Sequence, residues 1–336
     1  MYKEKILTIS IAAYNVSQYI RETIESCVVP EVLDDLDIII VNDGSTDGTA
    51  GIAEEYVKRY PESFRLINKE NGGYGTTVIQ GMKEAKGKYF KLLDGDDWFD
   101  REGLAKLVRY LKEIDSDWVL TRVLRIKEGT NEMGKDTPSW SPYYGKTCTV
   151  ADLADTNFSY NIGMWGLASK TALLREHPFV LPAHRLYTDQ LFVFYQMPFV
   201  RKISFLDFPV YRYRIGRDGQ SISRESRIRH YSDAVDNVLA MQDYYARYRE
   251  LYPSNQYFMM HRLEAYYSFA IRTYLLLPAS RKTMKDIISL EKRCKTKTND
   301  VYKEAFHQKR KILIALRISN YAAYYPLACI GIKNWG

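Results

Sequence analysis

Tyr89-Phe90-Lys91-Leu92-Leu93-Asp94-Gly95-Asp96-Asp97-Trp98-Phe99 joins an apolar run to a crowd of three carboxylates. The run reads as a buried strand, and the acids stand at its end. Carboxylates are costly to bury or cluster without compensation, and a divalent cation is one compensator. On extended backbone, residues two apart point the same way, so Asp94 and Asp96 are expected to face one ion. A solvated acidic turn or a helix cap is the bland alternative.

Around this stretch the chain alternates. Leu7–Ala13, Asp37–Val41, Phe64–Ile67, Tyr89–Leu93 and Trp118–Ile126 read as strands. Helices are expected at about 17–28, 46–60, 76–85 and, capped by Asp100, to about 114. Ser45 or Thr46 is expected near the cap of the second, and Gly87 at the end of the third. Strands alternating with helices predict an α/β layer with a largely parallel sheet. Ligands sit beyond the carboxyl ends of such strands. Ala13-Tyr14-Asn15, Asn42-Asp43-Gly44-Ser45 and Asp94 to Asp97 all fall there, which predicts one site built from separate strand ends.

The 336 residues allow one large domain or two moderate ones. Cys27, Cys148, Cys294 and Cys329 are far apart, which fits neither a zinc site nor a disulfide framework and suits a reducing cytoplasm. The apolar run at 6–13 is too short and too polar for a signal peptide or membrane span. Residues 1–220 hold 28 Lys/Arg against 31 Asp/Glu, while residues 221–336 hold 20 against 10, so the whole basic surplus lies in the last third. That region also holds thirteen of the 28 tyrosines, which marks it as compositionally distinct. Helices are expected there at 230–250, 256–277, 282–295 and 309 to about 328. Residues 128–147 lack periodicity and read as an excursion.

Four motifs, in order, carry a resemblance: Ile9-Ser10-Ile11-Ala12-Ala13-Tyr14-Asn15, Val41-Asn42-Asp43-Gly44-Ser45-Thr46-Asp47-Gly48-Thr49, Asn71-Gly72-Gly73, and Leu92-Leu93-Asp94-Gly95-Asp96-Asp97. Together they resemble the family-two glycosyltransferases with the GT-A fold, across residues 5–125 and more weakly to about 222. The resemblance implies an α/β/α nucleotide-binding sandwich at 1–225, with a donor half at 1–125 and an acceptor half at 126–225. A helical, basic extension at 226–336 would follow.

The resemblance also implies roles. Ala12, Tyr14, Asp43, Ser45, Asp94 and Gly95 would bind a nucleotide-sugar donor. Tyr14 would lie against base or ribose, or else in the core. Asp43, a pure acceptor, suits the N–H of uracil, though Asn-Asp-Gly-Ser is also a strong turn sequence. Asp96, with Asp94, would hold Mg²⁺ or Mn²⁺. Tyr187-Thr188-Asp189-Gln190-Leu191-Phe192 resembles the family's Glu-Asp-x-x-Phe element, which makes Asp189 the candidate general base. An N-cap is its plain alternative. Trp165 would form an acceptor-side face or a core contact. Arg212 and Arg214 would clamp a diphosphate or form an arginine ladder on an edge strand. Thr188 replaces the family's acid, and Val78-Ile79 replace its Arg-Asn pair. The polymerase-type Gln-x-x-Arg-Trp element is absent.

The expectation is a metal-dependent, inverting transferase that moves one sugar from a UDP-type donor to a glycan or lipid-linked glycan acceptor in surface polysaccharide synthesis. Nucleic acid is not an expected partner. A cytoplasmic location is expected, with a peripheral membrane contact left open by Lys309, Arg310, Lys311 and Arg317 among aromatic and aliphatic residues. The alternatives are a non-catalytic nucleotide-sugar or glycan-binding protein and a nucleotidyltransferase.

Overall fold

A computed structural model describes residues 4–130, 140–153, 158, 162–216 and 220–334. The chain divides into two compact units, Met1–Arg217 and Asp218–Gly336.

The first unit holds nine strands: β1 Leu7–Ala13, β2 Leu36–Asn42, β3 Phe64–Asn68, β4 Tyr89–Asp94, β5 Trp98–Phe99, β6 Trp118–Lys127, β7 Thr147–Thr149, β8 Leu167–Lys170 and β9 Lys202–Ile215. Its helices are α1 Ile20–Cys27, α2 Thr49–Arg59, α3 Tyr74–Glu84, α4 Arg101–Glu113, α5 Val150–Leu153, α6 Thr171–Glu176 and α7 Thr188–Gln196. The strands form one sheet ordered β3-β2-β1-β4-β8-β6-β9-β5, with β7 on β9. Every residue of β2 is buried, as a β-branched run covered on both faces requires. α4 shows the matching helical logic. Leu104, Leu107, Val108 and Leu111 recur on its buried face, and the Asp100 carboxylate caps it by accepting from the Gly103 N–H at 2.8 Å.

The sheet is largely parallel with antiparallel insertions. β3, β2, β1 and β4 run parallel, as do β6 and β9, but β8 lies antiparallel between β4 and β6, and β5 and β7 lie antiparallel to β9. The short strands β5, β7 and β8 join as antiparallel neighbours, which do not demand crossover helices. Residues 131–139 of the expected excursion at 128–147 lie outside the described residues.

Two cap assignments change. Gly48 precedes α2 without a side-chain cap, and Asp47 accepts from the Thr49 N–H at 3.0 Å. Ser45 Oγ instead accepts from the Asn15 N–H at 3.0 Å, tying the loop after β2 to the loop after β1. Ala85, not Gly87, ends α3, while the Gly87 N–H donates to Thr8 Oγ1 at 2.7 Å.

The second unit is helical: α8 Arg224–Arg229, α9 Tyr231–Tyr248, α10 Pro253–Tyr274, α11 Arg281–Lys297, α12 Asn299–His307, α13 Lys311–Ile318 and α14 Tyr324–Asn334. The single helix expected at 309–328 is broken in two. Asn320 and Tyr321 take φ of 48° and 67°, left-handed values that no helix can continue. Two of the cations expected to face a membrane turn inward. Arg310 pairs with buried Glu264 at 2.8 Å, and Arg317 pairs with buried Glu291 at 2.7 Å. Removing one partner of such a pair strands a buried charge. Arg317→Ala is therefore expected to lower stability by about 3–5 kcal/mol, read as a fall in the urea midpoint; an unchanged midpoint would contradict the reading. Among the described residues no helix is long and apolar enough to cross a membrane.

Candidate functional site

Register brings three strand ends level. Ala12 pairs across from Val41 on one side and Asp94 on the other, and Ala13 pairs with Asn42. The loops that leave these strands therefore share one edge of the sheet. The Asp43 N–H donates to the Ala13 carbonyl at 2.9 Å, and the Gly95 N–H donates to the Ala12 carbonyl at 3.0 Å. Ala12 is half-buried and Tyr14 is 51% exposed, so Tyr14 is not the core aromatic that one expectation allowed.

Asp43 is buried and heavily used. Its Oδ1 accepts from the Gly72 N–H at 2.9 Å and from Lys69 Nζ, and its Oδ2 accepts from the Gly73 N–H at 2.8 Å. The Asn71-Gly72-Gly73 turn is thus organised by the carboxylate of the preceding motif. Gly73 has φ of +81°, and a side chain there would press on the His184 backbone at 3.0–3.1 Å. The His184 N–H also donates to the Gly72 carbonyl at 2.8 Å. The turn is therefore wedged between the motif that follows β2 and the segment leading to Asp189.

Asp94 closes β4, but Asp96 lies in a turn rather than on extended strand, closed by the Asp97 N–H on the Asp94 carbonyl at 3.1 Å. The alternation argument for their common direction does not hold; the turn brings them together instead. Gly95 fits that turn because a β-carbon would meet the Ala12 carbonyl at 2.8 Å. It packs against β1 and is buried.

The electrostatics separate the three acids. Asp94 Oδ1 is buried without a hydrogen-bond partner. Burial first, then the charges of Asp96 and Asp189, push Asp94 up to about 8, while Tyr74 and Trp165 ease it only in part. Asp97 is pushed well above the carboxylate range by burial and by the charges of Asp94 and Asp96. Both its oxygens are nonetheless engaged, Oδ1 by the Arg214 N–H at 2.7 Å and Oδ2 by the Tyr211 hydroxyl at 2.7 Å. Asp97 fastens the acidic turn to β9. Tyr211→Phe orphans that buried oxygen and is expected to cost about 1–3 kcal/mol, read in urea unfolding; an unchanged midpoint would contradict the assignment.

Asp189 stands in the first turn of α7, half-buried, with its Oδ2 accepting from Gln190 Nε2 at 2.5 Å. The residue in the cap position is Tyr187, at φ of 61°, so Asp189 is not the N-cap. Its charge acts on Asp94, Tyr74 and Tyr213, which places it on the same cleft. Trp165 sits in the short turn Met164–Gly166, its ring 5.0 Å from that of Tyr213, with its Nε1 buried and unpartnered.

Arg212 and Arg214 have other commitments. Arg212 pairs with Asp100 at 2.5 Å. Arg214 pairs with Glu22 and Glu128 at 2.5 and 2.8 Å, and its guanidinium lies 4.5 Å from the Trp98 ring centroid. Each holds carboxylates of its own unit, so a diphosphate would have to compete for them. Tyr74 is the site residue that sequence reasoning missed. Its hydroxyl feels both Asp94 and Asp189, and burial with these charges holds it well above its ordinary range, a neutral donor. Its place just after the Asn71-Gly72-Gly73 motif was the available signal.

Comparison with known proteins follows this geometry. Residues 8–173 match the family described as glycosyl transferase family 2. The chain is 29% identical over 216 residues to the protein EpsH of Bacillus subtilis (strain 168), a glycosyltransferase by name, covering 62% of this chain and 60% of that protein. It is 31% identical over 223 residues to the poly(ribitol-phosphate) beta-glucosyltransferase of Bacillus spizizenii, covering 65% of this chain and 33% of that protein. The chain thus spans less than two thirds of either relative. Among solved structures, S. aureus TarS 1-349 in complex with UDP-GlcNAc superimposes with a TM-score of 0.70 at 20% identity, over 96% of this chain and 90% of that one. That likeness shows the GT-A fold.

Proposed function

From a chain that belongs, over residues 8–173, to glycosyl transferase family 2, we propose a metal-dependent, inverting transfer of a single sugar from a UDP-sugar to a surface-glycan acceptor. The observation that carries this reading is Asp94, whose buried Oδ1 has no hydrogen-bond partner and which is pushed up by burial and by the charges of Asp96 and Asp189. Such a cluster suits a cation on the donor side and a proton acceptor across the cleft.

The donor set fits a hard divalent cation. Among the described residues no three His, Cys, Asp or Glu side chains are grouped to hold an ion. Ions of the Mg²⁺ type are held by one or two carboxylates together with substrate phosphates, so Asp94 and Asp96 supply what the protein side requires. When bound, the cation neutralises charge on the departing diphosphate. Tyr14 is open for stacking on base or ribose. Asp43 keeps one free lone-pair direction on Oδ2, though its main work is to hold the Asn71-Gly72-Gly73 turn.

Asp189 takes the proton of the acceptor hydroxyl as that oxygen bonds to the anomeric carbon. The bond from that carbon to the phosphate oxygen breaks, and its electron pair leaves with UDP. Attack opposite the leaving group inverts the centre. The poly(ribitol-phosphate) relative favours a phosphate-rich polyol chain among surface acceptors. Release of UDP across a panel of UDP-sugars, each with Mn²⁺, Mg²⁺ or EDTA, tests the reading. Turnover of one donor, abolished by EDTA, is expected; a protein inert with every donor and cation would sink it.

A lipid-linked acceptor is supported by exposed Phe306, Ile318, Tyr325 and Ile330, with Lys309 and Lys311 exposed nearby in sequence. Co-sedimentation with anionic vesicles is expected for the full chain and reduced for Ile318→Glu/Tyr325→Glu; equal binding by both would refute the contact.

A further inference from the structure

Lys91 is the lone charge in the run Tyr89-Phe90-Lys91-Leu92-Leu93, and it is 1% exposed. A buried ammonium costs free energy unless something compensates it. Lys91 makes no ion pair among the described residues. Burial instead pushes it down to about 7. A strand facing Ile9 of β1 has no packing need for such a group, since methionine would fill a similar volume.

Its partners give the reason. Lys91 Nζ donates to the Trp165 carbonyl at 2.6 Å and to the Leu167 carbonyl at 3.2 Å. It also lies 5.8 and 5.7 Å from the ring centroids of Phe99 and Tyr211. The two carbonyls flank Gly166, where the Met164–Gly166 turn passes into β8. Gly166 itself is pressed so close that a β-carbon would meet the Thr121 carbonyl at 2.8 Å. The turn is therefore pinned on both sides. Its product is the half-buried Trp165 indole, beside the Tyr213 ring and acting on Asp94.

We infer that Lys91 is a positioning residue, whose ammonium holds the Trp165 and Leu167 carbonyls and so fixes the indole face against which an acceptor sugar packs. The inference deepens the transferase reading and rests on it. A group kept for position rather than stability should affect transfer far more than melting temperature.

Lys91→Met, with Lys91→Gln as a partial-donor control, tests this. Lys91→Met is expected to change the melting temperature little, because removal of a buried charge offsets the two carbonyls left without that donor. Its Met164–Leu167 amides should exchange with deuterium at least tenfold faster. UDP affinity in MnCl₂ should stay within about threefold, since the hydrogen bonds Lys91 donates go to the Trp165 and Leu167 carbonyls and not to Asp94 or Asp96. With poly(ribitol phosphate) as acceptor probe, transfer should fall at least tenfold, with Lys91→Gln recovering part of it. Trp165→Ala and Lys91→Met together should be less than additive, because one acts through the other. Unchanged exchange at Met164–Leu167, additive losses, or a melting temperature that falls with no change in transfer would each overturn the assignment. A wild-type protein without UDP binding or turnover would sink the transferase reading instead, and the exchange measurement would still judge Lys91 alone.

Discussion

Asp189→Asn is expected to lower kcat by about 10²–10⁴-fold, the usual contribution of a positioned general base. The change is nearly isosteric. It keeps the side chain beside Gln190 in the first turn of α7 and removes its charge and its capacity to take a proton. UDP affinity in the presence of Mn²⁺ should therefore hold within a few fold, measured by calorimetry beside steady-state turnover. The same substitution relieves Asp94 of one of the charges that push it up. Retained turnover would remove Asp189 from the chemistry. Loss of both turnover and UDP binding would make it a structural residue of the cleft.

Asp94→Asn is expected to lower turnover by at least about 10²-fold, the scale of losing a preorganised electrostatic group at the reacting centre. Its second signature lies in stability. An unfolded Asp ionises near 3.9, whereas burial and the charges of Asp96 and Asp189 raise Asp94 to about 8 in the fold. Between those values the folded protein binds more protons than the unfolded chain. Stability without cation must therefore fall as pH rises through that window, and level off above it. Asp94→Asn lacks this dependence. Relative to the variant, the wild type should lose on the order of 1–2 kcal/mol between pH 6 and 8 in EDTA. Urea midpoints at the two pH values measure it. Mn²⁺ with UDP should flatten the wild-type slope and leave the variant unmoved. Parallel slopes in EDTA would show that Asp94 ionises normally in the fold.

The segment up to about residue 125 was legible because its signals are local. β2 is a β-branched run, Asp100 stands one residue before an amphipathic helix, and each polar cluster follows its strand directly. The rest of the first unit was harder. β8 has four residues and owes its antiparallel place between β4 and β6 to partners distant in sequence. No periodicity announces such a strand. The break between α13 and α14 was equally hidden, since left-handed backbone at Asn320 and Tyr321 is chosen by tertiary packing and not by glycine. The cation cluster near residue 310 was only partly legible for a related reason. Composition counts Arg310 and Arg317 but does not say that Glu264 and Glu291 wait inside.

Within the site the division is sharper. Sequence alone named Tyr14, Asp43, Asp94, Asp96 and Asp189, because each stands in a motif whose residue types follow from the chemistry. It also determined that the first three motifs to carry them lie at strand ends, since alternation of strands and helices is written in local hydrophobic pattern. Only the tertiary structure decided which of the acids already have their oxygens engaged. Asp97 differs from Asp94 by what crosses from β9 to meet it, the Tyr211 hydroxyl and the Arg214 N–H. Asp43 became an organiser of the Asn71-Gly72-Gly73 turn, and Arg212 and Arg214 became partners of carboxylates on other elements. The physical reason is common to all of them. A side chain's identity sets what it can bind, but burial and the charges brought near by distant segments set whether its capacity is already spent.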